Sequence, residues 1–117
     1  AEEEVNGFEY DMVMALTSLS NIKWWHRNIS RHGFCINGFI NHYPDFIVMT
    51  KNGKVILIET KGDHLENTET KQKLVLGRAW QNAAGAPFRY YMVFQSKDLK
   101  LDGAVQFDKF VELLKGL

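Results

Sequence analysis

The sequence predicts an α/β sandwich, one mixed central β-sheet flanked by helices. Three observations carry that expectation. Two apolar runs, DFIVM (45–49) and KVILIET (54–60), flank TKNG (50–53), which holds the Asn-Gly of a tight hairpin. KVILIET is apolar on both faces until its last residues, the pattern of a central strand covered from above and below. Helix-period segments stand on both sides of that hairpin, so neither an all-β nor a purely helical chain fits.

The elements follow in order. Val5, Phe8, Met12, Ala15, Leu16 and Leu19 form one stripe, which predicts an amphipathic helix over 5–19, with Asn21 as its stop. IKWWHRNI (22–29) is rich in aromatic and β-branched side chains and reads as a strand. A Gly-containing, less regular stretch over 30–42 leads to Tyr43-Pro44, and the Pro can open a strand but not sit inside one. The hairpin strands come next, closed by Gly62. Residues 66–84 lack Pro and carry Leu74, Leu76, Ala79, Trp80 and Ala83, a helix ended by Gly85. FRYYMVF (88–94) is a further strand and VQFDKFVELLKGL (105–117) a closing helix. The predicted order is α-β-β-β-α-β-α.

At 117 residues the chain is one domain, and an apolar fraction of 45% supplies its core. The lone Cys35 cannot form an internal disulfide, which points to a reducing, cytoplasmic home. No apolar run approaches a membrane span, and the start AEEEV is unlike a signal peptide. The initial Ala fits either an excised domain or a start left by Met removal. Net charge is zero, which argues against a strong nonspecific grip on nucleic acid by the whole surface. The charge is unevenly placed, however: residues 1–20 sum to −5 and residues 21–61 to +4. The basic middle also holds two acids, Asp45 and Glu59.

Those acids form the constellation that carries chemistry. Glu59 and Lys61 are two apart on a strand, so their side chains share a face. Asp45 begins one hairpin arm and Glu59 ends the other, so antiparallel pairing brings both carboxylates to the open end of the hairpin. Two ionised acids in contact repel, and a divalent cation relieves the repulsion. Oxygen ligands of this type suit Mg²⁺ or Mn²⁺. Such an ion polarises a phosphoryl oxygen and lowers the pKa of a bound water, while an adjacent lysine orients or deprotonates that water. The plain alternative is a Glu59–Lys61 ion pair with Asp45 capping a turn. Three features coincide against it: Pro-Asp opening a strand, a hairpin in the intervening residues, and Glu-Thr-Lys ending an apolar strand.

Pro44-Asp45 followed by Glu59-Thr60-Lys61 resembles the PD-(D/E)XK nuclease motif. The wording YPDFIV…GKVILIETKG is similar to the C-terminal endonuclease domain of type III restriction enzyme Res subunits. The resemblance spans roughly residues 5–95. It implies a single nuclease-like domain over 1–117 with a restriction-endonuclease-like αβββαβ core. The implied activity is a Mg²⁺-dependent DNA endonuclease, with Mn²⁺ able to substitute, serving as the cleavage module of a restriction or helicase–nuclease system. DNA is then the partner, together with a helicase domain or subunit in the parent protein. In such sites Asp45 and Glu59 hold the metal, the Thr60 backbone carbonyl is a further ligand, and Lys61 serves the nucleophilic water. A Glu of the first helix often completes the acidic cluster. Glu9, at the border of the apolar stripe, is the best-placed match; the other reading is a solvated helix carboxylate.

Two rival functions stay open from sequence: a non-cutting nucleic-acid-binding relative, and a metal-dependent phosphohydrolase acting on small nucleotides. Lys71 and Lys73 on the second helix are candidates to touch a phosphate backbone, against the reading of a solvated face. Trp24-Trp25 and Tyr90-Tyr91 are candidates for base stacking, against half-core aromatics. His26, His32, Cys35 and His42 match no common zinc spacing, and packing explains them better.

Overall fold

The computed structural model describes residues 7–29, 32–38, 40–62 and 68–117. Helix α1 (Gly7–Ser18) leads into strand β1 (Ile22–Arg27). Two short strands, β2 (Ile36–Asn37) and β3 (Asn41–His42), precede the central hairpin of β4 (Phe46–Thr50) and β5 (Val55–Lys61). Helix α2 (Thr68–Ala84), β6 (Phe88–Phe94), β7 (Ala104–Gln106) and α3 (Phe107–Lys115) complete the chain. The predicted helix positions 5, 6, 66 and 67 lie outside the described residues.

The main sheet runs β1-β4-β5-β6-β7. Pairing is antiparallel from β1 through β5, then parallel from β5 through β7. The sheet is therefore mixed, and the strand predicted to be central, β5, occupies its middle. The hairpin turns at Gly53, whose φ of +88° belongs to the left-handed region that Gly adopts without penalty.

Alternation along the strands divides the core in two. On one face Phe46, Val48, Ile56, Ile58 and Val93 pack against Phe8, Met12 and Leu16 of α1 and Phe110 and Leu114 of α3. On the other, Leu57, Tyr90, Met92 and Phe94 meet Leu74 and Leu76 of α2. α2 lies over β6 and β2, leaving Ile47 and Met49 of β4 only partly covered.

Three expectations are corrected. The predicted closing helix over 105–117 begins at Phe107, because Ala104–Gln106 pairs parallel to β6 as an edge strand. Gln106 is the junction: its backbone is extended, and its side-chain Oε1 accepts the Asp108 and Lys109 amides as the helix cap. The strand over 22–29 ends at Arg27, where Asn28 turns its side chain to bond both the N–H and the carbonyl of Phe34. Within the stretch read as irregular, β2 and β3 form a small antiparallel ribbon. Among the described residues no helix is long and apolar enough to cross a membrane.

Candidate active site at the open end of the hairpin

The β4–β5 register pairs Phe46 with Ile58, which sets Asp45 opposite Glu59 one step further out. One step beyond, Thr60 faces Pro44. Proline has no amide hydrogen, so the ladder cannot continue there. The Thr60 N–H turns instead to Asp45 Oδ2 at 2.8 Å, and the Thr60 hydroxyl donates to the same oxygen at 2.8 Å. The Asn28 N–H donates to the Asp45 carbonyl at 2.7 Å and anchors the other side of the residue. Asp45 is therefore pinned by three donors, and Pro44 offers no N–H to the Thr60 carbonyl. Both side-chain bonds fall on Oδ2.

Glu59 ends the central strand and is buried, with 5% exposure. Its Oε2 lies 3.5 Å from Lys61 Nζ and 4.0 Å from Lys73 Nζ. Its Oε1 is buried with no hydrogen-bond partner among the described residues. Burial, then the negative charge of Asp45, hold the Glu59 carboxyl well above the usual carboxylate range, while the two lysines oppose that shift. An orphaned, buried carboxylate oxygen facing a second acid is unfavourable in isolation and is suited to an oxygen-seeking cation.

Behind the acids lies a second buried pair. His42 Nε2 and the Tyr90 hydroxyl are 2.6 Å apart, and both residues are fully buried. Burial, then Lys73 and Lys61, lower the His42 pKa to about 3, so the ring is neutral at ordinary pH. Burial, then Glu59 and Asp45, push the Tyr90 hydroxyl up. One ring atom, His42 Nδ1, has no partner among the described residues. Tyr90 also seats α2: its amide donates to Gln81 Oε1 at 2.8 Å, and its carbonyl accepts from Arg78 at 2.9 Å.

The structure brings together Asp45, Glu59, Thr60 and Lys61, and it sets Lys73, one of the two candidate phosphate-contacting lysines, beside Glu59. Glu9 turns inward from α1 as a border position would, but its Oε1 lies 3.2 Å from an Arg27 guanidinium nitrogen. Glu9, Asp45 and Glu59 do not form a three-acid cluster; among the described residues no group of three His, Cys, Asp or Glu is arranged to hold a metal. Asp63 and His64, just past β5, lie outside the described residues. Lys71 is exposed, and the two candidate stacking pairs divide: Trp24 is exposed, whereas Trp25, Tyr90 and Tyr91 pack into the core. His26 and His32 are exposed and do not join His42.

Sequence reasoning named Lys73 as a candidate phosphate contact but did not place it beside Glu59, and it missed the His42–Tyr90 pair. A signal for its inward placement existed: Lys73 lies four before Gly77 and seven before Trp80, on one helical stripe. No local pattern marks His42, because its partner is 48 residues away.

No family model, curated protein or solved structure matches this chain. The functional reading therefore rests on the residues and their geometry.

Proposed function

We propose that this chain is a Mg²⁺-dependent DNA endonuclease of the PD-(D/E)XK kind, with a restriction-endonuclease-like fold. The carrying observation is the buried Glu59, one oxygen unpaired, set opposite Asp45 with Lys61 alongside. With the short ribbon and the edge strand set aside, α1, β1, β4, β5, α2 and β6 match an αβββαβ order.

The residues present fit a divalent ion. Asp45, Glu59 and the Thr60 carbonyl would hold it, all oxygen donors of the kind Mg²⁺ or Mn²⁺ prefers. When bound, the metal supplies polarisation of the phosphoryl oxygen and a more acidic water. The chain supplies the rest. Two bonds from Thr60 and one from Asn28 keep Asp45 in place, so the carboxylate needs little reorganisation during turnover. Glu59 is held by the strand with neighbours on both sides. The Lys61 ammonium, on the same face, orients the attacking water and offsets charge building on the phosphate.

With net charge zero, a tethered helicase domain or subunit would deliver the domain to DNA by raising its effective concentration. The direct test is incubation of the protein with plasmid DNA in Mg²⁺, Mn²⁺ or EDTA. Metal-dependent nicking or linearisation by the parent, lost in Asp45→Ala, is expected. Intact plasmid and intact single-stranded DNA under every metal condition would overturn the reading.

A further inference from the structure

A lysine on the buried side of a helix needs a reason. α2 turns Thr70, Leu74 and Gly77 toward the sheet, and Lys73 sits within that stripe, four residues before Gly77. Gly77 is where the helix approaches closest: a Cβ there would lie 2.4 Å from Tyr90 ring carbons. The close approach carries Lys73 down beside the end of β5. Its side chain is only 21% exposed, and its ammonium stands 4.0 Å from Glu59 Oε2. Lys71, two residues away and so roughly 200° round the helix, points to solvent.

Charge neutralisation of Glu59 does not by itself account for Lys73. Lys61 already stands 3.5 Å from the same oxygen. Asp45 and Glu59 are matched by two lysines before any cation arrives, so a bound divalent ion leaves an excess of positive charge at the hairpin end. An anion is the complement of that excess, and a lysine reaching in from the helix is placed to meet it from the side opposite β4. We propose that Lys73 is a second working lysine of this site: its ammonium takes a non-bridging oxygen of the DNA phosphate bound beside Asp45 and Glu59, while Lys61 attends the water. The inference rests on the nuclease reading and adds to it the helix-borne contact to the substrate's backbone.

The contact has a signature that does not require cleavage. A lysine that neutralises one phosphate contributes about 0.9 to the slope of log affinity against log salt on duplex DNA. Binding of a fluorescently labelled duplex, followed by anisotropy across a salt series with Ca²⁺ in place of Mg²⁺, should show a shallower slope by about that amount in Lys73→Met and Lys73→Gln. Lys73→Arg should recover most of it, since a guanidinium also contacts phosphate. Calorimetry with Mn²⁺ should show the two uncharged variants binding metal at least as tightly as the parent, because a cation 4.0 Å from a ligand oxygen has been removed. Cleavage at saturating Mn²⁺ should fall at least tenfold in both. A salt slope unchanged in the folded Lys73→Met and Lys73→Gln proteins would overturn the assignment, as would a loss of Mn²⁺ affinity, which would make Lys73 a support for Glu59 alone. A parent protein that binds Mn²⁺ but cuts no DNA would sink the nuclease reading instead, and the salt slope would still decide whether Lys73 contacts phosphate.

Discussion

Replacing Gly77 by Ala sets two effects of opposite sign against each other. Ala is the better helix former, and in the middle of α2 the exchange contributes about 1 kcal/mol in its favour. The added methyl, however, would lie 2.4 Å from Cε1 and Cζ of Tyr90 and 2.5 Å from Cδ1. Ordinary carbon contacts are about 3.5–4 Å, so the overlap exceeds about 1 Å against three atoms of a rigid ring. The ring has nowhere to go: Tyr90 is fully buried, its hydroxyl is 2.6 Å from His42, and its backbone is tied to Gln81 and Arg78. Overpacking of this kind costs about 1–3 kcal/mol. If the ring shifts enough to break the His42 bond, a buried donor left unmatched costs about 1–3 kcal/mol more. The steric effect wins, with a net loss of about 2 kcal/mol. In urea unfolding followed by circular dichroism, the Gly77→Ala midpoint should fall with little change in slope. A variant as stable as the parent, or more stable, would show that helix propensity governs this position and that α2 is not wedged against Tyr90.

The remaining predictions concern the site. Glu59→Gln should stabilise the metal-free protein at neutral pH: the folded carboxyl is raised above its ordinary 4.5, so the parent's share of stability is present below that pH and is lost as pH rises. The advantage of Gln should grow from pH 5 to pH 8 in thermal melts, and a constant difference would contradict the burial argument. His42 behaves in the opposite sense, since a pKa of about 3 against an ordinary 6.5 gives stability present above 6.5 and lost as pH falls toward 3. His42→Gln should remove up to about 1.4 kcal/mol per pH unit of that slope between pH 6 and pH 4, read from urea midpoints; an unchanged slope would assign it to other groups. Mn²⁺ titration should register a large loss of affinity in Asp45→Ala, whereas Lys61→Ala should keep the metal and lose turnover by roughly 100-fold or more. Equal metal affinity in parent and Asp45→Ala would remove Asp45 from the ligand set.

What could be read along the chain was whatever depends on residues near one another in it. The hairpin over 45–60 was legible because Asn-Gly between two apolar runs specifies both the turn and the antiparallel register. That register alone put Asp45 across from Glu59, and the period of two put Lys61 on the Glu59 face. The β5 centre was legible from its two apolar faces. β7 was not, because three residues of modest strand propensity pair only when the edge of β6 is presented to them. The first helix likewise showed that Glu9 sits at the border of its stripe, but not which partner waits there; Arg27 comes from the facing strand.

The sequence by itself determined the mixed sheet, its central hairpin, and the meeting of two carboxylates and Lys61 at its open end. Only the tertiary structure decided how that end is walled. Lys73 reaches Glu59 because Gly77 lets α2 settle onto Tyr90, and His42 is neutral because the fold buries it beside two lysines. These are contacts between segments far apart in the chain, set by the depth at which one layer packs on another. Periodicity assigns a residue to a face, but the distance between faces depends on every side chain that fills the gap.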